Sequence, residues 1–315
     1  MKVVSKLSDI GFDKNSVVTV GTFDGVHAGH REIVLEAVRR AKAREGRSVV
    51  ITFEPHPREV VGSQTIQLLT TIDERKRLLQ ELKPDILFVV TFTYEFSRQS
   101  FRDFYLTYLV NGIGVSEIVE GYDHHFGRDR EGSIEALITL GKEFGFSVVA
   151  VKPFSVGDDV VSSSRIRRSL AEGNVERAVE FLGRPYAFEG TVVKGDGRGR
   201  QLGFPTANVA PQSPKKIIPK NGVYFVGVRL GEKQYPGMAN IGVRPTFEGQ
   251  QKQMIEVHLL NYEGDLYGKE VGVHFLKRLR DEQKFSGPEA LVAQLHKDQE
   301  ESIKLQKEYS TTFST

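Results

Sequence analysis

Val20-Gly-Thr-Phe-Asp-Gly-Val-His-Ala-Gly-His30 joins a strand to a helix. Before it, residues 17–20 are a short β-branched run of strand character. After it, Ile33, Val34, Ala37, Val38 and Ala41 recur at the spacing of one helical face within residues 31–44. The same alternation continues outward. Residues 49–53, 86–91, 118–120 and 147–151 read as further strands, and 73–82, 101–109 and 134–144 as helices. Strands alternating with helices predict a parallel, doubly wound α/β sheet. Ligands on such sheets gather at the carboxyl ends of the strands.

The rhythm changes after about Gly183. Residues 191–194, 223–230, 254–260 and 271–275 are short strands separated by Gly, Asn and Pro clusters, with no helix until 288–306. That pattern predicts a small all-β barrel with a C-terminal helix. The boundary falls near Arg184-Pro185, giving one domain over 1–183 and a second over 184–315. A chain of 315 residues fits two cores better than one.

Bulk chemistry narrows the function. Hydrophobic residues make up 39% and charged residues 27%, as in a soluble globular protein. Lys+Arg number 43 against 41 Asp+Glu, so nothing suggests a surface that coats nucleic acid. Without Cys there are no disulfides, thiolate metal ligands or Cys nucleophile, which suits a reducing compartment. No apolar run is long enough to span a bilayer and no signal peptide is recognisable, so a cytoplasmic protein without membrane partners is expected.

The opening stretch also carries chemistry. Gly21, Gly25 and Gly29 permit close backbone approach to a ligand. His27 and His30, three apart at a helix start, can face one point, where free N–H groups and the helix dipole already attract anions. Farther on, Val161-Ser-Ser-Ser-Arg-Ile-Arg167 brings three hydroxyls and two guanidiniums just before a helical stretch at 168–171. That makes a second anion cradle. Such a pair suits a triphosphate, since nucleotidyl transfer needs alignment and charge neutralisation and no protein nucleophile.

The two motifs together resemble the nucleotidyltransferase superfamily, a Rossmann-like fold. With Phe53-Glu-Pro-His-Pro57 and Gly121-Tyr-Asp-x-x-Phe-Gly127 added, the first half is similar to the FMN adenylyltransferase half of prokaryotic bifunctional FAD synthetases. The resemblance implies that Gly21, Thr22, Phe23 and Asp24 line the ATP site and that His27 and His30 contact the ATP phosphates catalytically. It implies that Ser163, Ser164 and the catalytic Arg167 hold the triphosphate, and that Asp123 lies in the nucleotide pocket. Phe53, His56 and Pro57 are then expected beside the flavin. Many relatives carry Phe-Arg where this chain has His124-His125, a departure that removes a basic group from that loop.

The second half has its own constellation. Gly190–Asn208 is too glycine-dense for a packed strand, and its N–H groups can form a phosphate nest. Thr206 and Asn208 are hard oxygen ligands two residues apart, on one side of an extended chain, which fits Mg²⁺ that keeps several waters and bridges nucleotide phosphates. A plain turn at Pro-Thr-Ala-Asn accounts for the same residues. In Met254-Ile-Glu-Val-His-Leu-Leu260, Ile255, Val257 and Leu259 share one face while Glu256 and His258 share the other. A kinase acting on an alcohol needs a carboxylate to accept the hydroxyl proton.

Gly203-Phe-Pro-Thr-Ala-Asn208, Asn221-Gly-Val-Tyr224, Asn240-Ile-Gly242, Ile255-Glu-Val-His258 and Phe275-Leu-Lys-Arg-Leu-Arg-Asp-Glu282 resemble riboflavin kinase. That resemblance implies a six-stranded barrel with Gly195 and Thr206 at ATP, Thr206 and Asn208 on Mg²⁺, and Glu256 as the catalytic base. Arg280 and Glu282 are implied near the flavin. Riboflavin, FMN, FAD and ATP are the implied small-molecule substrates and products. Three other readings compete: a nucleotidyltransferase with a different acceptor, a barrel that binds nucleic acid as OB-folds do, and a chain in which one domain has lost activity and serves as a scaffold or regulator. The barrel motifs weigh against the first, the near-neutral charge against the second, and the intact Thr206, Asn208, Glu256, His27, His30 and Arg167 against the third.

Overall fold

The computed structural model describes residues 1–62, 66–122, 132–195, 197–245 and 251–313. By density of contacts the chain divides between Ser163 and Ser164 into two compact units.

The first unit is a six-stranded parallel sheet. Its strands are β1 (Lys2–Val4), β2 (Ser16–Val20), β3 (Arg47–Glu54), β4 (Ile86–Thr91), β5 (Val115–Gly121) and β6 (Ser147–Val151), in the order β1-β4-β3-β2-β5-β6. Helices α1 (Ala28–Ala43), α2 (Pro57–Val61), α3 (Ile72–Glu81), α4 (Tyr94–Ser97), α5 (Phe101–Phe104) and α6 (Ile134–Phe144) complete it, α5 continuing as wide π turns over Tyr105–Ile113. Alternate side chains of each strand point to opposite layers. Val18, Val20, Ile51, Phe53, Phe88 and Val90 pack against Phe104, Tyr105, Leu109 and Leu137. On the other face Val50 and Leu87 meet Val34 of α1 and Leu79 of α3, and Val17 meets Ala37 and Ala41. This is the predicted doubly wound sheet. The sequence reading missed β1, only three residues long, and placed the start of α1 three residues late, because Ala28-Gly-His carries no apolar periodicity.

A two-stranded hairpin, β7 (Ser155–Val156) and β8 (Asp159–Val160), precedes α7 (Ser163–Glu172). Then come α8 (Val175–Leu182), β9 (Tyr186–Val193), the single turn α9 (Arg198–Gln201), β10 (Ala207–Pro211), β11 (Gly222–Leu230), β12 (Lys233–Pro245), β13 (Gln251–Leu259), β14 (Glu270–Arg280), α10 (Pro288–Glu308) and α11 (Ser310–Phe313). The six strands close in the order β10-β13-β12-β11-β14-β9, every pair antiparallel. Phe188, Tyr224, Val257 and Phe275 are among its buried residues. Phe225 and Leu276 pack instead against Leu305 of α10, with Tyr309 and Phe313 beside them. The strand reading missed β10 and β12: glycine density hid one, and Pro236 with two glycines hid the other.

Helix α8 packs on β14 and β9. Its Glu176 carboxylate accepts the backbone N–H of Arg278 at 3.2 Å. Also on β14, His274 has a ring Nε2 that is buried without a hydrogen-bond partner. Burial pushes its imidazole down to about 4, with Glu189 pulling the other way. Below its ordinary value near 6.5 the unfolded chain therefore takes up a proton that the folded chain refuses, so stability falls as pH drops from about 6.5 to about 4 and is level above that window. His274→Gln is expected to flatten this slope in thermal melts recorded between pH 7 and pH 4.5, and an unchanged slope would remove His274 as its source.

Candidate active sites

The first unit turns its order around at β2. The chain runs from β2 to β3 and β4 on one side and then returns to place β5 on the other. Such a switch point opens a crevice beyond the carboxyl ends of the two neighbouring strands. Here the ends are tied together, the Val20 N–H donating to Glu120 Oε1 at 2.8 Å.

The loop that follows β2 is strained. Phe23 and Val26 have φ of 46° and 38°, left-handed values unusual for such residues and worth about 1–3 kcal/mol each. Its anchors explain how it persists. The buried Asp24 carboxylate accepts from Leu69 N at 3.1 Å, Thr70 N at 2.8 Å and Thr70 Oγ1 at 2.9 Å. Ser163 Oγ donates to the Asp24 carbonyl at 2.9 Å. The Phe23 ring is buried, and it lies 3.1 Å from where a Cβ on Gly21 would stand. A side chain at Gly21 would press on that ring, which would have to give by a few tenths of an ångström.

His27 caps α1, its Nδ1 accepting the His30 N–H at 3.2 Å. In neutral His27 the proton therefore lies on Nε2. The two imidazoles stack with centroids 3.5 Å apart and planes 18° apart, and Phe23 stands edge-on to His30 at 5.2 Å. Both rings line a cavity of ≈ 770 Å³ together with Gly21, Thr22, Phe23, Phe53, Pro57 and Ser163. A volume in that range accommodates cofactor-sized ligands. One wall is aromatic: Phe53 stands 5.7 Å from Phe92 and 6.0 Å from Phe96. An aromatic wall and the start of a helix thus share one cavity.

Not every predicted residue meets there. His56 caps α2, accepting from Arg58 N at 3.1 Å, and is not among the lining residues. Asp24 faces its loop anchors. Ser164 and Arg167 lie on α7 within the second unit. Asp123 and His124-His125 lie outside the described residues. The sequence reading missed Glu120, Tyr122 and Lys152, which also line the cavity. Gly121-Tyr-Asp was noted only as a motif, and Lys152 directly follows β6, so the rule about strand ends would have found it.

In the barrel, register places the chemistry. Asn208 of β10 stands opposite Glu256 of β13, and Glu256 stands opposite Asn240 of β12. Directly opposed residues share a face, so Asn208, Glu256 and Asn240 form a row across three strands. Ile255, Val257 and Leu259 are buried while Glu256 and His258 are half-buried, the alternation that the sequence predicted. Thr206 leads into β10, so that segment is the start of a strand rather than a plain turn. The glycine-rich segment that leads into β10 runs against the Asn208 end of the row. A Cβ on Gly195 would collide with the Asn208 amide, and one on Gly199 would collide with the Phe204 carbonyl and stand 3.0 Å from Thr206 Oγ1. His258 holds the same segment, its Nδ1 donating to the Pro205 carbonyl at 2.8 Å.

Arg280 and Glu282 lie at the end of β14. The Arg280 guanidinium is gripped by Asp298 of α10, Nε at 3.0 Å from both carboxylate oxygens and Nη2 at 2.7 Å from Oδ2. Glu282 Oε2 accepts from Asn221 Nδ2 at 3.4 Å, and a Cβ on Gly242 would collide with Oε1. Among the described residues no group of three His, Cys, Asp or Glu is placed to hold a metal. Asn208 Oδ1, however, is buried without a hydrogen-bond partner. A buried hard acceptor left open beside Thr206 fits an ion that takes few protein ligands.

Two family models match the chain, FAD synthetase over residues 9–165 and riboflavin kinase over 182–306. A bifunctional riboflavin kinase/FMN adenylyltransferase from Listeria monocytogenes is 38% identical over 292 residues, 92% of each chain. The chain belongs to this bifunctional family. The member from Escherichia coli K12 is 39% identical over 285 residues, 90% of each chain. A solved structure from Streptococcus pneumoniae, of a protein named macrolide-efflux protein, matches with a TM-score of 0.86 at 33% identity, covering 95% of this chain and 97% of that one. Among the described residues no helix is long and apolar enough to cross a membrane. Most of α7 and all but the last residue of α8 fall between the two family matches.

Proposed function

We propose that the two activities of the family divide between the two units: the barrel phosphorylates riboflavin to FMN with ATP, and the parallel sheet adenylylates FMN to FAD with release of pyrophosphate. The observation that carries this reading is the presence of two chemically different sites, each built within its own unit. One is an aromatic cavity ending at a histidine-capped helix start. The other is a carboxylate beside a glycine-rich segment and an open amide oxygen.

In the kinase site Glu256 accepts the proton of the ribityl 5′-hydroxyl as that oxygen bonds to the γ-phosphorus and ADP departs. Thr206 Oγ1 and Asn208 Oδ1 would hold Mg²⁺, which when bound neutralises charge on the nucleotide phosphates. Gly195 carries the glycine-rich segment across the phosphates with its backbone N–H. Arg280 and Glu282 border the flavin, with Arg280 held in place by Asp298.

In the transferase site an FMN phosphate oxygen attacks the α-phosphorus of ATP and pyrophosphate leaves. His27 and His30 donate to the phosphates, reinforced by the N–H groups at the start of α1. Gly21 and Thr22 pass close to the nucleotide, and Phe23 and Asp24 hold the loop in shape. Ser163, which lines the same cavity, binds the triphosphate. Phe53 and Pro57 meet the flavin ring, and His56 sets the chain direction there as a cap. ATP, riboflavin and FMN are the small-molecule partners, in the cytoplasm. The test is direct: incubate the protein with riboflavin, ATP and Mg²⁺ and separate the flavins. FMN followed by FAD is expected, and FMN with no FAD would restrict the reading to the kinase.

The kinase unit should also work alone. A fragment from Arg184 contains every strand of the closed barrel, while one from Ser164 keeps α8 and the bond from Glu176 to Arg278. Both are expected to make FMN and no FAD, and the longer to melt several degrees higher. A folded longer fragment without kinase activity would mean that the sites are not separate.

A further inference from the structure

We propose that Arg75 is a positioning residue for adenylyl transfer, its buried guanidinium holding the histidine loop and the end of β3 at one fixed spacing. The proposal rests on the reading of the aromatic cavity as the adenylyl-transfer site. Arg75 does not line that cavity, but Thr22 and Phe53, from the two segments that it joins, do.

Arg75 lies in the first turns of α3, and its side chain is fully buried. Nη1 donates to the Phe53 carbonyl at 3.0 Å and to Thr52 Oγ1 at 3.2 Å. The Thr52 hydroxyl passes the interaction on, donating to the Thr22 carbonyl at 3.0 Å. One guanidinium thus reaches the last residues of β3 directly and the loop after β2 through a single hydroxyl. The start of α3 is closed by a capping box, Thr71 and Glu74 capping each other at 2.8 and 3.3 Å. The two residues before that cap, Leu69 and Thr70, are those that hold Asp24. Loop, strand end and helix start therefore form one bonded frame with Arg75 at its centre.

The electrostatics explain why an arginine stands there. Burial lowers its pKa, and Asp24, Glu54 and Glu59 oppose that shift. Those three carboxylates come from the loop, the end of β3 and α2. Unneutralised, they would repel two phosphate-bearing substrates. Nη2 stands 4.0 Å from Glu54 Oε2, and neither it nor Nε makes a hydrogen bond. A buried cation with open donors is costly, and an apolar side chain would pack there more cheaply. Lysine offers no planar fork with which to keep the same geometry.

The test compares Arg75→Met, Arg75→Lys and Thr52→Val in the full chain. Initial rates of FAD formation from FMN are measured over ranges of ATP and FMN, with riboflavin phosphorylation and circular dichroism as controls. The expected kcat for FAD falls about tenfold in Arg75→Met, since small misplacements at a reacting centre act on turnover. Thr52→Val falls about threefold or more and Arg75→Lys lies between. KM for both substrates stays within about threefold, and the kinase rate is unchanged. Parental kcat in Arg75→Met and Thr52→Val overturns the proposal, as does a change confined to KM. If Arg75→Met does not fold, the near-isosteric Thr52→Val decides by the same kcat criterion. His30→Ala separates the two ideas. A normal FAD rate in that variant sinks the reading of the cavity, whereas a slow His30→Ala beside parental Arg75 and Thr52 variants removes the positioning role alone.

Discussion

Glu256→Gln lowers riboflavin phosphorylation by about 10²–10⁴, the worth of a positioned general base, and leaves FAD formation from supplied FMN at its parental rate. The substitution keeps the side chain's size and the half-buried setting between Asn208 and Asn240. What it removes is the ability to take a proton while the phosphorus–oxygen bond forms. That interaction belongs to the transition state, so kcat falls and the KM values for riboflavin and ATP change little. Two initial rates decide the matter, one starting from riboflavin and one from FMN. Near-normal FMN production by the variant would make Glu256 an ordinary strand residue and send the search for the base elsewhere.

His30→Ala produces the opposite pattern. FAD formation slows by about 10²–10³, as when one preorganised donor to a developing charge is lost, and riboflavin phosphorylation is untouched. The ring is one of a stacked pair in the cavity, and its backbone N–H, not its imidazole, serves the His27 cap. Truncation therefore spares the helix start. His27→Ala is less clean, because it removes a donor and a cap together, with the cap alone worth about 1 kcal/mol. Equal loss of both activities in His30→Ala would indicate unfolding or a single shared site.

How far the sequence carried depends on how local each feature is. Residues 134–144 were read at their true bounds because apolar periodicity starts and stops with that helix, between a Ser133 cap and a left-handed Gly145. The opposite faces of β13 were legible from alternation alone. Asn208 stands out in the sequence by its oxygen and its spacing from Thr206, yet its place opposite Glu256 is a property of strand pairing that no local pattern contains. Arg75 was invisible for a related reason. In Asp73-Glu-Arg-Lys-Arg77 it reads as one more charge on a solvated helix, and only the docking of α3 on the sheet buries it. Arg280 was expected at the flavin, but its grip on Asp298, 18 residues away, depends on how α10 returns to the barrel.

The closure of the barrel has a consequence for how the chain fails under stress. A closed ring of strands has no edge and so offers no template to a second chain. The parallel sheet has two edges. One is β1, three residues long and carrying Lys2; the other is β6, Ser147-Val-Val-Ala-Val151, without a charge and paired only with β5 among the described strands. Short, β-branched and uncharged, β6 has the makings of an aggregation nucleus once its surroundings loosen. Heat or dilute denaturant should therefore send the chain into intermolecular sheet through its adenylylating half, with riboflavin phosphorylation outlasting FAD synthesis.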